Sequence, residues 1–160
     1  MIRLANESDA QRIADIYNPY ILNTTVTFEE QPVTAEEMLS RMRPKIAQNR
    51  WFVYEVDGVI AGYAYAGPYA SRSAWRFALE ASVYIDDSYR GMGIGSKLYQ
   101  HLLPILKSQG VHTVLGLIAL PNPASVKLHE NFGFKKAGVV AEGGRKLGRW
   151  IDIGYWQLMF

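Results

Sequence analysis

Arg90-Gly91-Met92-Gly93-Ile94-Gly95-Ser96 follows the strand-like run Ser82-Val83-Tyr84-Ile85 and opens a helix-like one from Ser96 to Ser108. Three glycines in five residues let the backbone approach a ligand and turn without Cβ clashes. At a helix N-terminus, free N–H groups and the positive end of the dipole face whatever sits there. The stretch therefore reads as an anion cradle, and a phosphate or pyrophosphate is the usual anion. A phosphorylated cofactor is expected at the middle of the chain.

Two familiar phosphate loops do not fit. A Walker A loop ends Gly-Lys-Ser/Thr, whereas Gly95-Ser96-Lys97 runs in another order. A dinucleotide fingerprint needs G-x-G-x-x-G near the start of a βαβ unit. Here the spacing is G-x-G-x-G and a long segment precedes it.

Working outward, Ile2-Arg3-Leu4 predicts a short first strand. Ser8-Asp9-Ala10-Gln11 reads as a capping box for a helix whose face carries Ile13, Ile16, Tyr17, Tyr20 and Ile21. Thr34-Ala35-Glu36-Glu37 opens a second helix with Met38, Leu39 and Met42, which Pro44 is expected to disturb. The β-rich loop Asn23 to Phe28 lies between them. Trp51 to Val56, Asp57-Gly58 and Val59 to Ala66 give a hairpin. Phe77 to Ile85 is the strand that enters the glycine loop. The helix after it buries Ile94, Leu98, Leu102 and Ile105, with Pro104 expected to kink it or loosen its last turn. Thr113 to Ala119 is an apolar strand, Pro123 starts a short helix and Gly133 ends it. Lys135 to Val140 and the alternating run Trp150 to Phe160 complete a βααβββαβαββ order, an α/β domain with a mixed sheet.

Composition narrows the function. The 160 residues suit one domain, and 17 basic against 15 acidic residues leave a net charge of +2, with no Lys/Arg run to suggest nucleic acid. No apolar run reaches membrane-spanning length. The absence of cysteine excludes disulfides, thiolate metal sites and a Cys nucleophile, and suits a cytoplasmic address, as does an N-terminus without a signal-peptide core. His101, His112 and His129 have no metal-ligand spacing, so no metal is expected.

Arg90 to Gly95 reads R-x-x-G-x-G, which resembles the acetyl-CoA loop of the GNAT N-acetyltransferases. Asn122 followed by Leu128-His129-Glu130-Asn131-Phe132-Gly133-Phe134 is similar to a second signature of that superfamily. Ala64 to Pro68, Glu80 to Tyr84, Leu98 to Leu103, Leu120-Pro121-Asn122, Ser125 to Glu130 and Gly154 to Leu158 resemble the phosphinothricin and methionine sulfoximine/sulfone N-acetyltransferases. The resemblance implies a single GNAT domain over residues 1–160, with a mixed, mostly antiparallel central sheet flanked by helices. It implies acetyl transfer from acetyl-CoA to the α-amino group of a small amino acid analogue, a homodimer, and a part in detoxification or herbicide resistance.

It also implies roles. Gly91, Met92, Gly93, Ile94, Gly95 and Ser96 would hold the pyrophosphate by backbone N–H groups, with Arg90 adding charge. Val83, Tyr84 and Ile85 would pair with the pantetheine amides, and the Val83 or Tyr84 N–H would polarise the thioester carbonyl. Asn122 and Ser125 would touch the cofactor arm. Glu80 would be the general base, directly or through water, although a strand-interior Glu by itself more often faces solvent. His129 stands where most of the superfamily has Tyr. A titration near neutrality would suit it to donate a proton to the thiolate or to take one from the amine. Arg72 and Arg76 suit an acceptor carboxylate. Phe28, Tyr69, Trp75 and Trp150 are candidate pocket walls, with core or dimer contact as the other reading.

Two other functions stay open. One is a GNAT acting on another amine, such as another amino acid, a polyamine or a protein N-terminus; the arginine-bearing loop counts against polycations. The other is a non-catalytic acyl-CoA sensor, against which Glu80 and His129 count.

Overall fold

In the computed structural model, which describes residues 1–160, strand β1 (Ile2–Leu4) leads through a 3-10 turn into helix α1 (Ala10–Asn23). The cap is Asn6, not the Ser8 box expected from the sequence. The Asn6 side chain accepts from the Ser8 N–H, and the Asp9 carboxylate accepts from the Asn6 N–H at 2.8 Å. Arg3 donates to both Asp9 oxygens, at 2.7 and 2.9 Å, which commits Asp9 to the turn ahead of the helix. Helix α2 (Ala35–Ile46) starts as read, with Thr34 Oγ1 accepting from the Glu37 N–H at 3.1 Å. Pro44 does not break it: the helix runs on to Ile46, and the Ala47 N–H still closes onto the Arg43 carbonyl at 3.0 Å.

Strands β2 (Trp51–Val56) and β3 (Val59–Pro68) form the hairpin, with Asp57 and Gly58 at φ 49° and 79°, the left-handed pair of a type I′ turn. Then come β4 (Ala78–Ile85), α3 (Ile94–Ser108), β5 (Thr113–Ala119), α4 (Pro123–Asn131), β6 (Lys135–Lys146) and β7 (Arg149–Met159). Pro104 leaves α3 continuous, and the Gln109 N–H closes its end onto the Ile105 and Leu106 carbonyls. Leu106, not Ile105, completes its buried face. Strand β6 runs six residues past the expected Val140. A bulge between Val140 and Gly144 resumes pairing with β7, and Leu147 and Gly148 (φ 51° and 75°) make the turn.

The seven strands form one sheet in the order β1-β2-β3-β4-β5-β7-β6, in which only β4 and β5 are parallel. Helices α1 and α2 bury Ile13, Ile16, Met38 and Met42 against Trp51, Val53 and Tyr63 on one face. Helix α3 buries Leu98, Leu102 and Leu106 against Ala64, Leu79, Val114 and Trp156 on the other. No helix is long and apolar enough to cross a membrane.

One feature of the sheet positions the site. β4 pairs with β5 only from Ala78 to Glu80, against Thr113 to Leu115. Beyond Glu80 the two strands part, and β4 continues on β3 alone. The Asp86 N–H bonds the Ala61 carbonyl and the Tyr69 N–H bonds the Ala78 carbonyl, so even-numbered residues of β4 turn their main-chain groups to β3. Strand alternation then turns those of Ala81, Val83 and Ile85 into the gap.

Candidate active site

The glycine loop lies at the mouth of this gap. Gly91 and Gly93 sit at φ 79° and 72°, and a Cβ on either would meet nothing within 4 Å, so glycine serves the left-handed backbone there and not a lack of room. Gly93 caps α3 without any side-chain bond, which leaves the first N–H groups of the helix pointing outward. Arg90 is more exposed than the cradle suggested: its Nε holds Asp87 at 2.6 Å and its guanidinium lies 5.5 Å from the Tyr20 ring. Met92 is exposed.

From the loop, a cleft of 390 Å³ runs along the open edge of β4, lined by Tyr20, Val26, Val83, Ile85, Gly93, Ile94, Gly95, Ser96, Asn122, Ser125 and Leu128 among others. A smaller cavity shares Val26, Val83, Asn122 and Ser125 with it and reaches Ser82, Tyr84, Tyr99 and His129. The Tyr20 hydroxyl donates to the Ile85 carbonyl at 2.5 Å. Of the two amides named for the thioester, Val83 faces the gap and Tyr84 faces β3. Asn122 is partly committed: its Oδ1 accepts from the Ser125 N–H at 3.2 Å and caps α4, leaving its NH₂.

His129 is 3% exposed and packs against Gly116, whose missing side chain makes room for the ring. Its Nδ1 donates to the Ser125 carbonyl at 2.8 Å. Nε2 then accepts from the Tyr99 hydroxyl at 3.1 Å. Burial lowers its pKa, opposed by the bond to Ser125. The ring is thus a neutral imidazole whose basic atom is Nε2. Tyr99 escaped the sequence reading, although a phenol amid Leu98, Leu102 and Leu103 signals a buried hydroxyl that needs a partner.

Glu80 lies on the α1/α2 face of the sheet, beside the point where β4 and β5 part. It is half-buried, no cation pairs with it, and burial raises its pKa. Tyr155 stands two residues from the Glu80–Leu115–Gln157 row on the same face. Burial raises its pKa, and Tyr69 and Glu80 add to the rise. Tyr155 was also missed, because only cross-strand register brings it beside Glu80.

The acceptor-side candidates are scattered. Tyr69 stacks edge-on with Trp75 at 5.2 Å, close to Glu80. Arg72 and Arg76 are exposed in the same loop, Arg76 donating to the Ser73 carbonyl at 3.0 Å. Phe28 packs on Gly144 of β6, and Trp150 is 62% exposed beside Arg145. These last two lie at the β6–β7 hairpin and not with Tyr69. His101 meets the Phe52 ring edge-on and His112 is exposed. No cluster of three or more His, Cys, Asp or Glu side chains can hold a metal ion.

The site thus joins an open helix N-terminus, an apolar trough along the unpaired edge of β4, a half-buried carboxylate and a buried neutral imidazole. The sequence matches the acetyltransferase (GNAT) domain family over residues 2–154. It is 40% identical over 159 residues to a phosphinothricin N-acetyltransferase of Streptomyces viridochromogenes, covering 99% of this chain and 87% of that one. It is 32% identical to an L-methionine sulfoximine/L-methionine sulfone acetyltransferase of Salmonella typhimurium, covering 98% and 92%. A phosphinothricin acetyltransferase of Sinorhizobium meliloti, solved in complex with acetyl-CoA, superposes with a TM-score of 0.95 at 32% identity, over 100% of this chain and 88% of that one.

Proposed function

The chain belongs to the GNAT acetyltransferase family and is an acetyl-CoA-dependent N-acetyltransferase, and from that premise we propose how its residues share the work and which amines it takes. The acceptor is the α-amino group of a small amino acid analogue of the phosphinothricin or methionine sulfoximine/sulfone kind, as in the relatives. Acetyl-CoA supplies an acetyl group activated as a thioester. Gly91 to Ser96 bind its pyrophosphate through main-chain N–H groups, and the Val83 and Ile85 amides hold its arm along β4. The Val83 N–H polarises the carbonyl, a donor fixed before the reaction begins.

Glu80 takes the proton from the acceptor ammonium. A raised carboxyl pKa narrows the gap between base and amine and makes that transfer easier. His129 Nε2, unprotonated at the inner end of the cleft, takes the second proton that the nitrogen sheds once the C–N bond has formed and passes it to the sulfur as the C–S bond breaks, while Tyr99 and Ser125 hold the ring in one tautomer. Arg72, with Arg76, takes the acceptor carboxylate beside Tyr69. Phe28 and Trp150 join this pocket in a homodimer, for which the exposed β6 edge is the support.

The parting of β4 from β5 after Glu80 carries this assignment. It joins the cofactor cleft on the α3/α4 side to the carboxylate on the α1/α2 side. Thiol release from acetyl-CoA, measured against phosphinothricin, methionine sulfoximine, methionine sulfone, the standard amino acids, spermidine and an aminoglycoside, tests the acceptor class. Turnover confined to the first three is expected. Turnover only with the others would withdraw the acceptor assignment and leave the fold's chemistry standing.

A further inference from the structure

Lys146 is a charged residue that the roles above do not use, and it is 4% exposed. It ends β6 immediately before the Leu147-Gly148 turn. Its ammonium donates to the Thr27 carbonyl at 2.8 Å and reaches the Tyr20 carbonyl at 3.5 Å. Burial pulls its pKa down, and the Glu30 and Glu29 carboxylates act the other way. An ammonium removed from water is costly unless its donors are used. Here they are spent on main-chain oxygens at either end of one short stretch. Tyr20 is in the last turn of α1, where carbonyls lack helical partners and a cation is favoured.

That stretch runs from the last turn of α1 into the α1–α2 loop, whose other contacts tie it to the cleft, to β6 and to α2. Val26 lines both the cofactor cleft and the inner cavity. Thr27 Oγ1 meets the Tyr17 hydroxyl at 2.7 Å, and the Tyr17 ring packs edge-on against Tyr84, the neighbour of Val83. Phe28 lies on Gly144, two residues before Lys146, where any side chain would collide with the ring. Arg41 secures Glu29 at 2.9 and 2.7 Å. The loop is therefore held from the helix side by Arg41 and Tyr17, and from the hairpin side by Lys146.

We propose that Lys146 is a positioning residue for acetyl transfer: its ammonium seats the loop from Thr24 to Glu30 as the roof of the cleft, setting Val26 against the cofactor arm and Phe28 on the β6–β7 hairpin. This role depends on the cleft being the transfer site proposed above. A lysine that merely staples the hairpin would lower stability and leave substrate binding alone.

Hydrogen–deuterium exchange of residues 24–30, run beside steady-state kinetics on Lys146→Met and Lys146→Arg, separates the two. In the Met variant, loop exchange is expected to quicken while β3 and β4 stay protected. KM for both acetyl-CoA and the acceptor should rise about tenfold with a smaller change in kcat, the scale expected of a misplaced wall. The Arg variant should restore most of both. Loop exchange and KM at wild-type values in Lys146→Met would overturn the role, as would a uniform rise in exchange across the sheet with KM unchanged. Should the Met variant not fold, Lys146→Gln carries the same readouts with the same expected direction. Loss of the acceptor assignment would show as wild-type inactivity toward phosphinothricin and its analogues, whereas loop exchange judges the clamp by itself.

Discussion

At the scale of single residues, the two bases are tuned by burial in ways that can be separated. Burial lifts the Glu80 carboxyl above the ordinary glutamate range, so the folded protein binds this proton more tightly than the unfolded chain does. The stability so contributed is complete below the ordinary pKa and is lost as pH rises through the raised one. Glu80→Gln is therefore expected to raise Tm at about pH 8 and to change it little at about pH 4. The same variant should lose about 10²- to 10⁴-fold in kcat and lose the acid limb of the kcat/KM profile, which in the wild type lies above the usual carboxylate range. Wild-type turnover in this variant would remove Glu80 from the role of base. Gly116→Ala probes His129 without replacing it. The new methyl would intrude on Nε2 and Cδ2 of a ring hemmed in by Tyr99 and Phe134. A stability loss of about 1–3 kcal/mol from overpacking is expected. A fall in kcat of about tenfold or more should accompany it, because the ring no longer meets Tyr99 and Ser125. Chemical denaturation and steady-state kinetics read both.

At the scale of elements, the glycine loop shows why some of the site could be read from the sequence and some could not. Its conformation is local: Gly91 and Gly93 need left-handed backbone, and Gly93 caps α3 with no side chain to take its first N–H groups. Gly93→Ala should cost about 1–2 kcal/mol from the φ alone, since the space around it is empty. The expected kinetic result is a raised KM for acetyl-CoA with kcat near wild type, checked with the acceptor saturating. An unchanged KM would take the cradle away from this turn. The order of elements along the chain was legible for the same reason, because period-two patterning and the Asp57-Gly58 turn are local signals. Long-range partners were not. The bulge in β6 is set by β7, where Asp152 accepts from the Glu142 N–H at 2.8 Å, and Glu142-Gly143-Gly144 on its own reads as the end of a strand. Tyr99 and His129 are thirty residues apart, and Lys146 meets Thr27 across most of the chain. The sequence named His129 and Glu80 through resemblance. That Val83 and not Tyr84 faces the gap follows only from the hydrogen-bond register of β3 and β4.

At the scale of the molecule, the sheet is finished unevenly. One edge is β1, three residues long and too short to recruit a partner. The other is β6, exposed from Lys135 to Gly143 and paired only with β7. Val139 and Val140 stand 42% and 47% exposed, and alternation puts them on opposite faces, so both faces of this edge present apolar surface. Leu147 and Trp150 add 54% and 62% exposed side chains at the hairpin end. A long apolar edge with no charge at its centre is a pairing surface, and a second copy of this chain is the occupant proposed above. A two-fold contact of standard size takes about 800 Å² from each copy. The expected sedimentation-equilibrium result is a dimer at micromolar concentration. Val140→Lys, which sets like charges across the two-fold, should shift it to monomer. The monomer should keep its affinity for acetyl-CoA, because the glycine loop and the open edge of β4 lie within one chain. It should lose acceptor turnover, because Phe28 and Trp150 are then left away from Glu80 and Arg72. A wild-type monomer with full activity would end the dimer proposal and return Phe28 and Trp150 to surface residues.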